Sequence, residues 1–320
     1  MVSMANAFRV ALTVCAALFP PLAHALPAGD HAITFGKRAY IIHVPARLEP
    51  RPALVLNFHG GAGNAPGQQK YSRMDAVADR EGFVVVYPEG TGPFDGRLQT
   101  WNAGGCCGMA VRDGVDDVAF VRRLLDDVAR RQAYDPARVY ATGLSNGAML
   151  AHRLGAELSD RIAAIATVAG AIAIEHYPTA RATPVMAIHS VDDPRAPIAG
   201  GLGPPFPMTE TRVMHIAVEK VLADWAAANG CAMQVETRQK KEWKGHTATL
   251  LAWPKCRGSS EVLFWKLTGA GHVWPGGEPD YLPELLGPGT AVIDANEEMW
   301  RFFSRHRLGP TGSGSLGGRP

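Results

Sequence analysis

A doubly wound, mostly parallel β-sheet with helices on both faces is the architecture this sequence predicts. Three observations point there. Unbroken apolar runs such as Pro52–Phe58 and Phe83–Tyr87 have the composition of strands buried on both sides. Strand-like and helix-like segments alternate along the chain, as parallel sheets with crossover helices require. Between Val139 and Gly147 a β-branched and aromatic run turns into an amphipathic helix through Gly143-x-Ser145-x-Gly147, the pattern of a serine raised on a sharp strand-to-helix turn.

The elements follow in order. Thr34–Val44 reads as one or two strands stopped by Pro45. Pro52–Phe58 is a continuous strand that runs into the Gly-rich segment His59–Asn64. Tyr71–Glu81 has helical spacing, and Phe83–Tyr87 is a buried strand stopped by Pro88. Val115–Arg131 is a helix with Asp116 and Asp117 in its first turn, where acidic side chains favour the helix dipole. After the serine turn come a helix over Ala148–Leu158 and strands at Ile162–Val168 and Pro184–His189. A helix at Val213–Asn229, strands at Thr247–Trp253 and Glu261–Leu267 and a closing helix at Ala295–His306 complete the pattern. The segment from Gly309 to Pro320 is rich in Gly and Ser and reads as a disordered tail. Residues 26–308 are expected to form one catalytic domain.

Composition narrows the class. The chain has 320 residues, 47% hydrophobic and 19% charged, with a formal net charge of +2. Its Lys and Arg are scattered, which gives no nucleic-acid footprint. The first 25 residues read as a secretory leader: Arg9 supplies the positive start, Val10–Phe19 the apolar stretch and Ala23-His24-Ala25 a small-x-small cleavage site. That stretch is too short for a membrane span, and Val14 before Cys15 is too bulky for lipoprotein processing. Export, to the periplasm or beyond, after cleavage at Ala25 is therefore expected, with no span in the mature protein.

Four cysteines remain after the leader: Cys106, Cys107, Cys231 and Cys256. An even count in an exported chain argues for disulfides. Cys231 and Cys256 flank the strand-rich segment after a helix, which favours their pairing and leaves Cys106 with Cys107. Free thiols or two bonds crossing between the pairs are the alternatives.

A serine hydroxyl needs a general base, an orienting carboxylate and an oxyanion hole to act as a nucleophile at neutral pH. In a doubly wound hydrolase the partners follow in the order nucleophile, acid, histidine. Ser145 is the candidate nucleophile, at the start of a helix whose dipole stabilises developing negative charge. Asp193, in the loop after Pro184–His189, is the candidate acid, with Asp192 beside it as a competitor. His272 is the candidate base, the one histidine of 11 on a late Gly-rich loop beyond a strand. His189 ends a strand and reads as structural, bonding loop backbone. The amides of Asn146 and of Gly61 or Ala62 are candidates for the oxyanion hole. A phosphate-cradling role for the His59–Gly63 glycines is disfavoured, because no Lys-Ser/Thr follows them. No cofactor or metal is implied.

These pieces together resemble the polyhydroxybutyrate depolymerase/feruloyl esterase group of the α/β-hydrolases. The resemblance rests on His59-Gly-Gly-Ala-Gly-Asn64, Val86-Tyr-Pro-Glu-Gly90, Trp101-Asn-Ala-Gly-Gly-Cys-Cys-Gly108, Val115-Asp-Asp-Val118, Gly143-Leu-Ser-Asn-Gly147 and Gly271-His-Val-Trp-Pro-Gly276. It spans about Thr34 to Arg307. It implies an α/β-hydrolase fold, with Ser145 as nucleophile, Asp193 as acid and His272 as base. One departure stands out: the family's acid loop reads His-Gly-Thr-x-Asp, and here it is His189-Ser-Val-Asp-Asp193.

The expected substrate is an ester, with hydroxyalkanoate oligomers first and feruloylated or acetylated plant cell-wall saccharides as the alternative. Trp101, Trp274 and Phe206 are aromatic candidates for the substrate cleft, against plain packing. A peptidase or acyltransferase could use the same triad, although a peptidase of this fold usually carries an added domain. A non-catalytic binding protein would be expected to have lost a triad member. The sequence does not give an oligomeric state.

Overall fold

The computed structural model describes residues 25–174, 181–206, 210–279 and 281–309. The expected leader lies outside them except for Ala25, and the expected tail except for Gly309.

The sheet has ten strands. In chain order they are β1 (Gly29–Phe35), β2 (Arg38–Val44), β3 (Leu54–Phe58), β4 (Val84–Pro88), β5 (Val139–Leu144), β6 (Ala164–Val168), β7 (Val185–Ser190) and, after a separate two-stranded ribbon of β8 (Gly201–Leu202) and β9 (Met214–His215), β10 (Glu236–Trp243), β11 (His246–Trp253) and β12 (Val262–Thr268). Their spatial order is β1-β2-β4-β3-β5-β6-β7-β12-β11-β10. The central run from β4 to β12 is parallel throughout. Antiparallel strands extend it at both edges.

The central strands are buried throughout, and their side chains alternate between two covered faces as a two-sided sheet requires. Leu54, Leu56 and Phe58 pack on one face with Phe120, Leu124, Met149, Leu154 and Trp225. Those partners belong to α4 (Asp117–Arg131), α5 (Asn146–Glu157) and α6 (Val218–Ala228). Val55, Val85 and Tyr87 pack on the other face with Met74, Val77, Met299 and Phe302, from α2 (Met74–Glu81) and α8 (Ala295–Phe303). Fully burying each such side chain contributes roughly 1.5–3 kcal/mol. Tyr140 of β5 stacks on Phe303 of α8, with centroids 4.7 Å apart. Among the described residues no helix is long and apolar enough to cross a membrane.

The differences from expectation have local causes. The helix expected over Tyr71–Glu81 is two helices, α1 (Ala65–Ser72) and α2, because Arg73 between them takes the left-handed conformation at φ 55°. Asn64 starts α1 by accepting a hydrogen bond from the Gly67 amide at 2.7 Å, a side-chain cap. The first residues of the helix expected at Val213–Asn229 instead form β9, and α6 begins at Val218. Strand β10 carried no apolar alternation to reveal it. Its sequence, Glu-Thr-Arg-Gln-Lys-Lys-Glu-Trp, is mostly exposed at a sheet edge, where charge discourages further pairing. It is joined to β11 through Lys244 and Gly245, both at positive φ, the requirement of a two-residue hairpin turn. Two short helices, α3 (Gly108–Arg112) and α7 (Pro283–Leu286), were also not expected.

Among the described residues there are two disulfides. Cys231 after α6 is bonded to Cys256 after β11; closing a loop of this length stabilises the fold by about 3–4 kcal/mol in the chain-entropy account. Cys106 is bonded to Cys107.

Candidate active site

Ser145 is the last residue before α5, and its backbone sits at φ 56°, ψ −118°, a region that L-residues seldom occupy. The flanking glycines make that turn possible. A Cβ on Gly143 would lie 2.6 Å from both the Phe58 carbonyl oxygen and the Gly147 carbonyl carbon, and one on Gly147 would lie 2.6 Å from the His59 carbonyl oxygen. Only hydrogen fits at either place. The Ser145 amide donates to the Val168 carbonyl at 2.9 Å, which ties the turn to β6.

Asp193 follows β7 and His272 follows β12, neighbouring strands of the sheet, so their loops emerge side by side. His272 Nδ1 bonds Asp193 Oδ2 at 2.7 Å. Because the carboxylate accepts, Nδ1 carries the proton and Nε2 presents a lone pair. Asp193 Oδ1 accepts from the amides of Arg195 and Ala196 at 2.7 and 2.8 Å. Burial alone would raise the Asp193 carboxyl. The adjacent His272 and the hydrogen bonds from His189 and His272 outweigh it and hold the group well below the usual carboxylate range. Asp192 is exposed and takes a different partner: its Oδ2 accepts from the Gly269 amide at 2.7 Å, tethering the histidine loop. His189 bonds backbone, with Nε2 2.8 Å from the Ala196 carbonyl.

Ser145 and His272 line one cleft of about 290 Å³ with the glycine loop His59–Gly63. That loop lies against the serine turn: a Cβ on Gly60 would be 3.5 Å from Ser145 Cβ, and one on Gly61 would be 3.8 Å from Asn146 Cβ. Ala62 departs from expectation. Its amide donates to the Gln99 carbonyl at 2.8 Å and is unavailable to an oxyanion, whereas the Gly61 amide has no such partner among the described residues. His59 shapes the loop from below, with Nδ1 2.8 Å from the Gly60 carbonyl and Nε2 accepting from the Gly90 amide at 3.1 Å. Burial, with a smaller push from Arg38, lowers its pKa to about 4, so the ring is neutral and can donate at one nitrogen while accepting at the other.

The aromatic expectations divide. Phe206 lines the cleft, and its ring is 3.4 Å from where a Gly61 Cβ would sit. Trp101 and Trp274 are buried in the packed interior instead. The Trp101 indole N–H donates to the His59 carbonyl at 3.0 Å, and its ring packs edge-on against Phe58. The Trp274 indole N–H donates to Asn296 Oδ1 at 3.0 Å. Each ring satisfies its one polar atom inside the protein, which is how a buried tryptophan behaves. The sequence reading missed Arg195, His215, Tyr71 and Tyr281, all of which line the cleft. Only Arg195 had a signal, as the residue after Asp193-Pro194.

A serine on a strand-to-helix elbow, over a parallel sheet with helices on both faces, defines an α/β-hydrolase. The solved structure of the acetyl xylan esterase from Aspergillus awamori shares this fold, with a TM-score of 0.58 at 15% identity, covering 87% of this chain and all of that one. The chain is 31% identical to NocK of Nocardia uniformis subsp. tsuyamanensis over 289 residues, 83% of this chain and 79% of that protein. It is 25% identical to the bifunctional acetylxylan esterase/xylanase XynS20E of Neocallimastix patriciarum, matching 87% of its own length but only 35% of that larger protein. Residues 38–237 match the family described as esterase PHB depolymerase, and the chain belongs to that family. It is a carboxylic ester hydrolase.

Proposed function

We propose that this protein is an exported serine esterase that cleaves hydroxyalkanoate oligomers by two-step acyl transfer. The observation that carries the reading is the buried His272–Asp193 pair, 2.7 Å apart, whose histidine lines the same cleft as Ser145. Ser145 Oγ attacks the ester carbonyl while His272 Nε2 takes its proton. The amides of Asn146 and Gly61 hold the oxyanion. His272 then returns the proton to the leaving alcohol oxygen as the carbon–oxygen bond breaks. Water, deprotonated by His272, attacks the acyl-enzyme and frees the acid. Losing one oxyanion donor is expected to cost about 10²–10³ in rate.

A specific feature favours a second substrate reading. Tyr281, 39% exposed, stacks on Tyr71 with centroids 4.2 Å apart, and both line the cleft. Such a rim suits a feruloyl ring, as on plant cell-wall saccharides. The deciding experiment is hydrolysis of 3-hydroxybutyrate oligomers against methyl ferulate, with Ser145→Ala as the control. Faster turnover of the oligomers supports the first reading, and faster turnover of the ferulate replaces it with the second. Cleavage of neither ester, with Ser145 still labelled by an organophosphonate, would point to another ester or another acyl acceptor.

A further inference from the structure

The charge inside the cleft is one-sided. Among the described residues lining it there is no Asp or Glu, and Arg195 is the only Lys or Arg. Its backbone is fixed, because its amide donates to Asp193 Oδ1 at 2.7 Å. One guanidinium nitrogen donates to the Pro205 carbonyl at 2.9 Å, beside Phe206. A guanidinium offers five N–H donors in a planar fork, so this bond leaves most of them free. Arg195 has no carboxylate partner among the described residues. His215 and His59 do not add fixed charge: burial, above all, lowers the His215 pKa to about 4, and His59 is neutral as well. A permanent, half-buried cation, unpaired and next to the acid loop, is an electrostatic demand that the protein itself leaves unmet.

We propose that Arg195 is the receptor for a carboxylate carried by the substrate, so that the enzyme selects anionic esters over neutral ones. The inference rests on the esterase reading above and names the substrate's charge. A hydroxyalkanoate oligomer ends in a free carboxylate, and cleavage of its terminal ester releases a hydroxy acid that bears it. In that event Arg195 holds the leaving part while Ser145 keeps the acyl part. An acylated saccharide with a uronate would present the same group. Arginine suits the task because its fork matches both oxygens of a carboxylate.

The test is a matched pair: the 3-hydroxybutyrate dimer with its carboxylate free, and the same dimer capped as a methyl ester. The wild-type enzyme is expected to favour the free acid by about 10- to 100-fold in kcat/KM, the worth of a hydrogen bond to a charged group. In Arg195→Gln that ratio should fall to near one, chiefly through KM, and Arg195→Lys should keep part of it. Acetylated xylo-oligosaccharides with and without a glucuronate distinguish the two sources of the carboxylate. A role confined to tying Arg195 to Pro205 would alter rates on both members of the pair alike and leave their ratio unchanged. Equal turnover of the two dimers by the wild type, or an unchanged ratio in Arg195→Gln, overturns the inference. If no ester is hydrolysed, the esterase reading fails instead. Calorimetry of the free-acid dimer with wild type and Arg195→Gln then decides the role of Arg195 alone: weaker binding to the variant supports it, and equal binding ends it.

Discussion

Asn146 and Trp101 bond each other twice. The Trp101 amide donates to Asn146 Oδ1 at 2.7 Å, and Asn146 Nδ2 donates to the Trp101 carbonyl at 3.0 Å. The residue after Ser145 thus pairs with a distant loop as one strand pairs with another. Its side chain is locked, and with it the first turn of α5, where the proposed oxyanion amide lies.

Removing that pairing should be felt twice. Asn146→Ala leaves the buried Trp101 N–H without its partner, at about 1–3 kcal/mol, and takes one bond from the Trp101 carbonyl, which keeps the Ala103 and Cys107 amides. A lower Tm together with a lower kcat on a soluble ester is the expected pair of results. A Tm unchanged within a degree would show that the loop relaxes and finds other partners.

The two adjacent aspartates should behave differently. Asp193→Asn removes the carboxylate that orients His272, and a fall of about 10⁴ in kcat is expected from the corresponding change in a serine protease. Asp192→Asn weakens only the bond from the Gly269 amide, and its loss should stay within about tenfold, since the residue is exposed and does not touch the histidine ring. Measuring kcat for both variants on one ester checks the assignment. Equal losses would mean that the acid role is not Asp193's alone.

Acid should destabilise the fold through His59 and stabilise it through His43. The folded pKa of His59 is depressed to about 4, so its contribution is intact above the unfolded value of about 6.5 and is lost as pH falls towards 4. Each pH unit in that window costs up to about 1.4 kcal/mol. Burial opposes charge on His43, but Asp30, Asp75 and Asp79 outweigh it and raise its pKa. Its ring bonds Asp30 at 2.6 Å and Asp79 at 3.0 Å. A raised pKa contributes stability that is full below about 6.5 and fades as pH rises through the folded value. Urea titrations of His43→Gln should therefore show a larger stability loss at pH 5.5 than at pH 8.5. A loss independent of pH would mean that the ring acts only by packing.

What the sequence determined by itself is the set of features held by local sterics and periodicity. Gly143 and Gly147 announced the turn at Ser145 because no Cβ fits there. Unbroken apolar runs announced the parallel strands because both faces of that sheet are covered. The exposed, charged β10 escaped notice because an edge strand needs no apolar pattern, and the break at Arg73 did because an arginine gives no warning of a left-handed backbone. Tertiary structure alone decided which groups meet. It gave Asp193 rather than Asp192 to His272, because two neighbours on a loop point to different sides, and the fold sets which side faces the partner. It turned Trp101 and Trp274 inward and spent the Ala62 amide on Gln99, since a hydrogen bond depends on what lies opposite in space. The place of Arg195 as the one Lys or Arg among the described residues of the cleft, whose lining is drawn from loops far apart in the chain, is a property of the folded surface that no local pattern carries.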